Sequence, residues 1–234
     1  MPQFLTRVYD RAGDALRAFS DSRIDTPAIL DTATFFPAAP RFVENWQKIR
    51  DEALAIRARL ASVPRFHDIM PSQADISAND GRDWRIFIMK AYGVEFPENM
   101  SQAPFLKSLI ADVPEILSCS FSFLAPGKHI PRHRGPFRGI TRFHLMLSMP
   151  NGADGVPACV LYIDDKPYRL GDGQSLLWDD TFPHEVLNSS DQVRIALLFD
   201  VWRPHMPTDM DLLSRLIVFV VQSRIRLTGF APTG

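Results

Sequence analysis

The chain changes its apolar period near Ile116, and that change limits what it can fold into. Before this point, Phe42, Trp46, Ile49, Ala53, Ile56 and Leu60 recur at three-to-four spacing. Such a stripe makes a helix over 41–60 with one buried face. After it, short apolar segments stand near 117–124, 140–149, 158–164, 175–179, 184–188 and 193–202. Asn151-Gly152, Asp154-Gly155, Asp164-Asp165 and Gly171-Asp172-Gly173 separate them with turn chemistry, as antiparallel strands joined by tight turns require. Several short strands with regular turns close into a sandwich or double-sheet jelly roll, not a parallel α/β sheet. The expected class is α+β in one domain over 1–234: a helical front half and linker (1–114), a β core (115–205) and a C-terminal helix (206–234).

The front half carries further signals. Residues 1–25 suggest a short amphipathic helix with Phe4, Leu5, Val8 and Leu16 on its apolar side. Pro27, Pro37 and Pro40 then impose an extended linker. Asp80-Gly81 marks a turn before a strand at 84–89, and a second helix is expected over 102–113. At the far end, the helix from about Asp209 to Leu227 has Asp209 and Asp211 in its first turn and Arg224 and Arg226 in its last, matching the helix dipole. Leu212, Leu213, Leu216, Val220 and Val221 give it a wide apolar face. That face either packs against the sheet or lies on lipid, aided by Arg215, Arg224 and Arg226.

Composition excludes some functions. A formal net charge of −1 gives no bulk attraction to nucleic acid. No apolar run approaches the ~20 residues of a spanning helix, and 1–7 lacks a signal-peptide core. Cys119 and Cys159 stand in strand-like runs without CxxC spacing, as buried free thiols of a reducing compartment would. The expected location is cytoplasmic, at most peripheral at the inner face of a membrane.

The strands alternate in chemistry. Arg142, His144 and Ser148 share one face, opposite Phe143, Leu145 and Leu147; Arg194, Ala196, Leu198 and Asp200 share another; Ser118, Ser120 and Ser122 alternate with Cys119, Phe121 and Phe123. An arginine in so apolar a strand as 193–200 is costly to bury unless it meets an anion. Polar atoms on one side of several strands suit the mouth of a barrel that holds a small acid. His133 stands beside a Gly-Pro turn, and His184 opens a strand after an acidic turn. Two neutral imidazoles with open coordination positions suit iron(II), zinc or copper. A carboxylate two residues after the first histidine would complete the usual non-haem iron triad. Gly135 stands there, so either water or another group completes such a site. His129 and His205 are expected to be exposed, and Asp164-Asp165 to be a hairpin turn. Phe121, Phe123, Phe143 and Phe182 either dry the pocket or belong to the ordinary core.

Several segments together resemble the aspartyl/asparaginyl β-hydroxylase family: Pro126-Gly127-Lys128-His129, His133-Arg134-Gly135-Pro136, Arg142-Phe143-His144-Leu145, Asp179-Asp180-Thr181-Phe182-Pro183-His184-Glu185, and Arg194 followed by Asp200-Val201-Trp202-Arg203-Pro204. The stretches Phe42–Leu54, Asp83-Trp84-Arg85 and Lys90-Ala91-Tyr92 are also similar to the bacterial lipid A acyl-chain hydroxylases. The resemblance implies a double-stranded β-helix (jelly-roll, cupin-like) core and an iron(II)- and 2-oxoglutarate-dependent dioxygenase using O2. By that resemblance His133 and His184 are the iron ligands. Arg194 and Ser122 bind the distal carboxylate of 2-oxoglutarate, and His144 contacts the carboxylate beside the keto group. Arg142 helps to hold cosubstrate or an acidic substrate group, and Asp180 is a hydrogen-bond acceptor near His184. Ile140 stands where the peptidyl branch has a basic residue for substrate. The implied substrate is a lipid A acyl chain, an aspartyl or asparaginyl side chain, or another amino-acid-derived group. Two competing readings are a halogenase, with chloride at the position Gly135 leaves open, and a cupin-like binding module without turnover.

Overall fold

Two antiparallel sheets face each other in the computed structural model, which describes residues 13, 15–135 and 137–228. The larger sheet holds β1 (Trp84–Ala91), β2 (Val94–Glu95), β3 (Ile116–Leu124), β5 (Ile140–Ser148), β8 (Ser175–Trp178) and β10 (Arg194–Trp202), in the order β2-β1-β3-β10-β5-β8. The smaller holds β4 (His129–His133), β6 (Cys159–Ile163), β7 (Lys166–Tyr168) and β9 (His184–Asn188), in the order β4-β9-β6-β7. From β3 onward the chain crosses between the sheets at every step except β6 to β7, and all these pairings are antiparallel. This is the jelly-roll class expected from the turn spacing.

Alternation along each strand divides the molecule into two layers. On the larger sheet, Cys119, Phe121, Phe123, Phe143, Leu145, Leu197 and Phe199 point outward into a core shared with the front-half helices. Helix α1 (Trp46–Arg57) buries Ile49, Ala53 and Ile56 there. Helix α2 (Pro104–Ile110) begins with Pro at its first position, and Glu52 caps it by accepting from the N–H groups of Phe105 (2.7 Å) and Leu106 (3.0 Å). The opposite face presents Ile86, Ile88, Ser118, Ser120, Ser122, Leu198, Asp200, Arg142 and His144 to the smaller sheet. Helices α1 and α2 thus cover one face, while the short helices Phe66–Ile69 and Ala74–Ser77 flank the other beside the site.

Several expectations need correction. The helix expected over 41–60 is broken: a short segment Ala39–Val43 precedes α1, because Asn45 turns its side-chain amide back to the Arg41 carbonyl (2.9 Å) and competes with the helical ladder. Strands β2, β4 and β7 are too short, and β4 too interrupted by Pro131, to stand out in the sequence. Proline is tolerated in β4 because the strand lies at a sheet edge. Phe121, Phe123 and Phe143 belong to the outer core and face away from the site. Most of the expected 1–25 helix, including Phe4, Leu5 and Val8, lies outside the described residues. Asp164 and Asp165 both take positive φ (49° and 62°) in the two-residue β6–β7 turn. His205 is exposed, whereas His129 is only partly so and pairs with Glu185 at 2.9 Å. Both cysteines are buried free thiols.

Of the two readings of the wide apolar face of the C-terminal helix α3 (Thr208–Thr228), packing on the sheet does not hold for much of it. Met210, Ser214 and Ile225 are the buried positions, while Leu212, Leu216 and Val220 of that face are exposed. No helix among the described residues is long and apolar enough to cross a membrane.

Candidate active site

His133 ends β4 and His184 opens β9, and the two are directly opposed partners in the antiparallel register. Their ring centroids lie 4.0 Å apart at an interplanar angle of 58°. Each ring is locked by the chain just before it: Nδ1 of His133 bonds the Pro131 carbonyl (2.8 Å), and Nδ1 of His184 the Phe182 carbonyl (2.9 Å). A carbonyl only accepts, so each Nδ1 carries the proton and each Nε2 keeps its lone pair. Burial lowers the pKa of His133 against the opposing Pro131 bond, with the Arg142 charge adding to the fall. Burial, followed by the neighbouring His133, pushes His184 down to about 2. Both imidazoles are therefore neutral near neutral pH, the form that ligates metal.

Two backbone-directed bonds tie the histidine-bearing segments together. The Gly135 N–H donates to the Asp180 carbonyl (2.7 Å), and Arg134 Nε donates to the Thr181 carbonyl (2.6 Å). The turn that delivers His184 is set by Asp179, which is wholly buried. Its carboxylate accepts from Arg138 (2.8 Å), from Arg203, and from the Thr181 N–H (3.1 Å) and hydroxyl (2.6 Å). Arg138 also reaches the carbonyls of Ile24 and Thr26, both at 2.8 Å. This framework is a finding of the structure. Asp179 and Arg203 stand in segments that carry the resemblance, but nothing in the sequence pairs them.

The other expected residues fall into two groups. Arg142 stands beside the histidines, half-buried between Asp200 (3.0 Å) and Asp180 (3.2 Å). Burial raises the pKa of Asp180 to about 6, against the opposing charge of Arg142. An ideal Cβ on Gly135 would lie 2.3 Å from Asp180 Oδ1, so the Asp180 carboxylate fills the space where a side chain at 135 would begin. The expected role of Asp180 is thereby changed: its carboxylate faces Arg142 and Gly135, and main-chain carbonyls hold the histidine protons. The second group is Arg194, Ser122 and His144, deeper between the sheets. Trp178 touches both groups, its ring 4.7 Å from that of His184 and 5.3 Å from that of His144. Ser122 accepts from Trp84 Nε1 (3.1 Å) and from an Arg194 Nη at 3.5 Å. Burial, with Arg194 and Arg142 nearby, holds the His144 pKa well below the usual range.

These residues fit a metal and an anionic cosubstrate. Two neutral imidazoles lie side by side with both Nε2 lone pairs open, although no cluster of three or more His, Cys, Asp or Glu able to hold a metal occurs among the described residues. Arg194 is buried, and its Nε has no partner. A buried guanidinium donor left unpaired is costly, and a bidentate carboxylate would satisfy it. The pocket around Arg194 and His144 measures only about 10 Å³ as it stands. Admitting a five-carbon diacid therefore requires a lining side chain such as Met146, Met149 or Leu170 to swing aside, a movement suited to unbranched methionine.

A larger cleft of about 260 Å³ opens beside His133. Phe66, Ile69, Met70, Ile76, Ile86 and Ile88 form an apolar wall, and Lys90, Tyr92, Arg134 and Arg142 add polar groups.

Comparison with known proteins gives the family. The model for aspartyl/asparaginyl β-hydroxylase matches residues 43–204. Ornithine lipid ester-linked acyl 2-hydroxylase of Rhizobium tropici is 32% identical over 183 residues, covering 78% of this chain and 63% of that protein. Human aspartyl/asparaginyl β-hydroxylase is 28% identical over 167 residues, covering 69% of this chain and 20% of that one. The chain thus spans less than two thirds of the length of either relative. Among solved structures, a Pseudomonas putida prolyl-4-hydroxylase aligns with 68% of this chain and 87% of its own at 18% identity and a TM-score of 0.43, too distant a likeness to bear on function. With the family model matched from just before α1 to just past β10, the chain belongs to the aspartyl/asparaginyl β-hydroxylase family.

Proposed function

We propose that this chain is an iron(II)- and 2-oxoglutarate-dependent hydroxylase that acts on the acyl chain of a lipid. The observation that carries this reading is the pair of neutral, tautomer-locked imidazoles, with a buried arginine deeper between the same two sheets whose Nε lacks a partner. His133 and His184 would hold the iron. Arg194 and Ser122 would seat the distal carboxylate of 2-oxoglutarate, with neutral His144 beside its other end. Iron with 2-oxoglutarate and O2 supplies hydroxylation of an unactivated C–H bond, with succinate and CO2 as coproducts. The protein's own part is orientation and exclusion of water. Trp178 packs edge-on against both His144 and His184, and Arg142, held by Asp180 and Asp200, fixes the polar side of the reaction space.

The cleft wall favours an acyl substrate. A hydrocarbon chain laid against Phe66, Ile69, Met70, Ile86 and Ile88 gains about 0.8 kcal/mol per buried methylene, more than the short side chain of an aspartyl or asparaginyl residue can gain on the same wall. Lys90 and Arg134 remain to meet an ester or headgroup oxygen. The Rhizobium tropici relative supports the choice by its name. The test is succinate release from 2-oxoglutarate across acyl-lipid, aspartyl-peptide and amino-acid substrates, with His184→Ala as control. Acyl lipids should stimulate release and His184→Ala should abolish it. Stimulation by an aspartyl peptide alone would reject the acyl assignment, and no 2-oxoglutarate turnover with any substrate would reject the oxygenase.

A further inference from the structure

We infer that the outer face of α3 is an in-plane anchor for an anionic lipid bilayer, and that it sets the substrate cleft at the membrane surface. The consequence for catalysis rests on the acyl-lipid reading; the surface itself does not. Five of the nine exposed large apolar side chains of the described residues lie on this helix: Leu212, Leu216, Phe219, Val220 and Leu227, from 57% to 85% exposed. At 3.6 residues per turn they form one stripe along the solvent side, opposite the buried Met210, Ser214 and Ile225. The helix does not qualify as a membrane span, so this face would have to lie along a bilayer.

The flanks name the partner. The same periodicity puts Arg215 and Arg226 on one edge of the stripe and Arg224 on the other. Long arginine stems at such edges lie along apolar surface while their heads reach phosphate. The two acids of the helix are already matched, Asp209 by Arg23 (2.6 Å) and Asp211 by Arg215 (2.7 Å). Arg23 and the three arginines of the helix thus stand against two acids, and that basic surplus beside an apolar stripe complements an anionic surface. The inner side of the helix adjoins the cleft. Gln222 lies 3.0 Å from where a Cβ on Gly93 would stand, and Ser214 Oγ lies 2.2 Å from one on Gly139. Their chain neighbours Tyr92 and Ile140 line the cleft. A bilayer seated on the stripe would thus lie roughly 10 Å, one helix diameter, from these cleft-lining segments.

The test is co-sedimentation of the full chain with sucrose-loaded phosphatidylcholine vesicles, with and without phosphatidylglycerol. The wild-type chain should sediment with phosphatidylglycerol vesicles, less so as salt rises. Leu216→Glu/Phe219→Glu should reduce the bound fraction at least about tenfold, and Arg224→Gln/Arg226→Gln should remove the preference for phosphatidylglycerol. Because these positions are exposed, circular dichroism should show a wild-type fold. Vesicle binding unchanged in Leu216→Glu/Phe219→Glu would overturn the inference. So would a wild-type chain that ignores vesicles and dimerises through this face, with the same variant monomeric. Turnover of a soluble short-chain acyl substrate, read in parallel, separates the two proposals: it should be wild-type in Leu216→Glu/Phe219→Glu. Vesicle binding without any such turnover would remove the hydroxylase reading and leave the surface standing.

Discussion

Gly135 and Asp180 share one volume. With the Cβ position of Gly135 only 2.3 Å from Asp180 Oδ1, any side chain there must displace a carboxylate held by Arg142 at 3.2 Å. Gly135→Ala should therefore cost about 1–3 kcal/mol of stability by overpacking, read as a lower melting temperature, and should weaken Mn(II) binding at the histidines. Gly135→Asp should do worse, since it sets a second carboxylate against the first. Gly135→Asp combined with Asp180→Gly should recover stability by relieving the clash. A Gly135→Ala protein as stable as wild type would show that the space is not contested. The sequence makes Gly135 visible as a missing carboxylate, but not what fills its place, because Asp180 arrives from a different sheet segment. His133 and His184 were legible from their turn-flanked positions and the resemblance. Their carbonyl acceptors were not, since every residue has a carbonyl and only register chooses among them.

At the level of elements, β4 depends on a buried cation. Lys128, wholly buried, donates at 2.7 Å to the Ser77 carbonyl, to Asn79 Oδ1 and to Asp80 Oδ1. It fastens the short helix Ala74–Ser77 and the turn after it to the start of the strand that carries His133. Burial acts to raise the Asp80 pKa, but the bonds from Lys128 and from the N–H groups of His129 and Arg82 outweigh it, and the pKa lies below the usual 3.8. A carboxylate with a depressed folded-state pKa contributes stability above its unfolded value and loses it as pH falls through the folded one. Lys128→Met should cost about 3–5 kcal/mol near neutral pH by stranding Asp80. The deficit should shrink in acid, where Asp80 is protonated. Urea unfolding near pH 7 and below the folded-state pKa of Asp80, itself under 3.8, checks this, and an equal deficit at both would exclude the pairing as its cause. Lys128 belongs to a segment that carries the resemblance, yet its burial is unreadable there, because lysine is ordinarily exposed. The long strands were legible from alternation, whereas β4 and β7 offer too few residues for a period to show.

Across the whole molecule, the two faces of the larger sheet divide the work. The aromatic face meets the front-half helices, and the face bearing Ser118, Ser120, Ser122, Arg142 and His144 meets the sheet that brings His133 and His184 together. The sequence shows that division as alternation. It does not show how the sheets oppose, and so it could not separate phenylalanines that dry a pocket from those that fill a core. The central claim is that the two halves of the site act together, metal on the histidines and diacid on Arg194. Calorimetric titration of 2-oxoglutarate into the anaerobic protein, with and without Mn(II), tests it most directly. Binding should require the metal, vanish in His184→Ala, and weaken about a hundredfold in Arg194→Met, as the loss of charge-assisted bonds implies. Binding that is equally tight without metal, or unchanged in Arg194→Met, would contradict it.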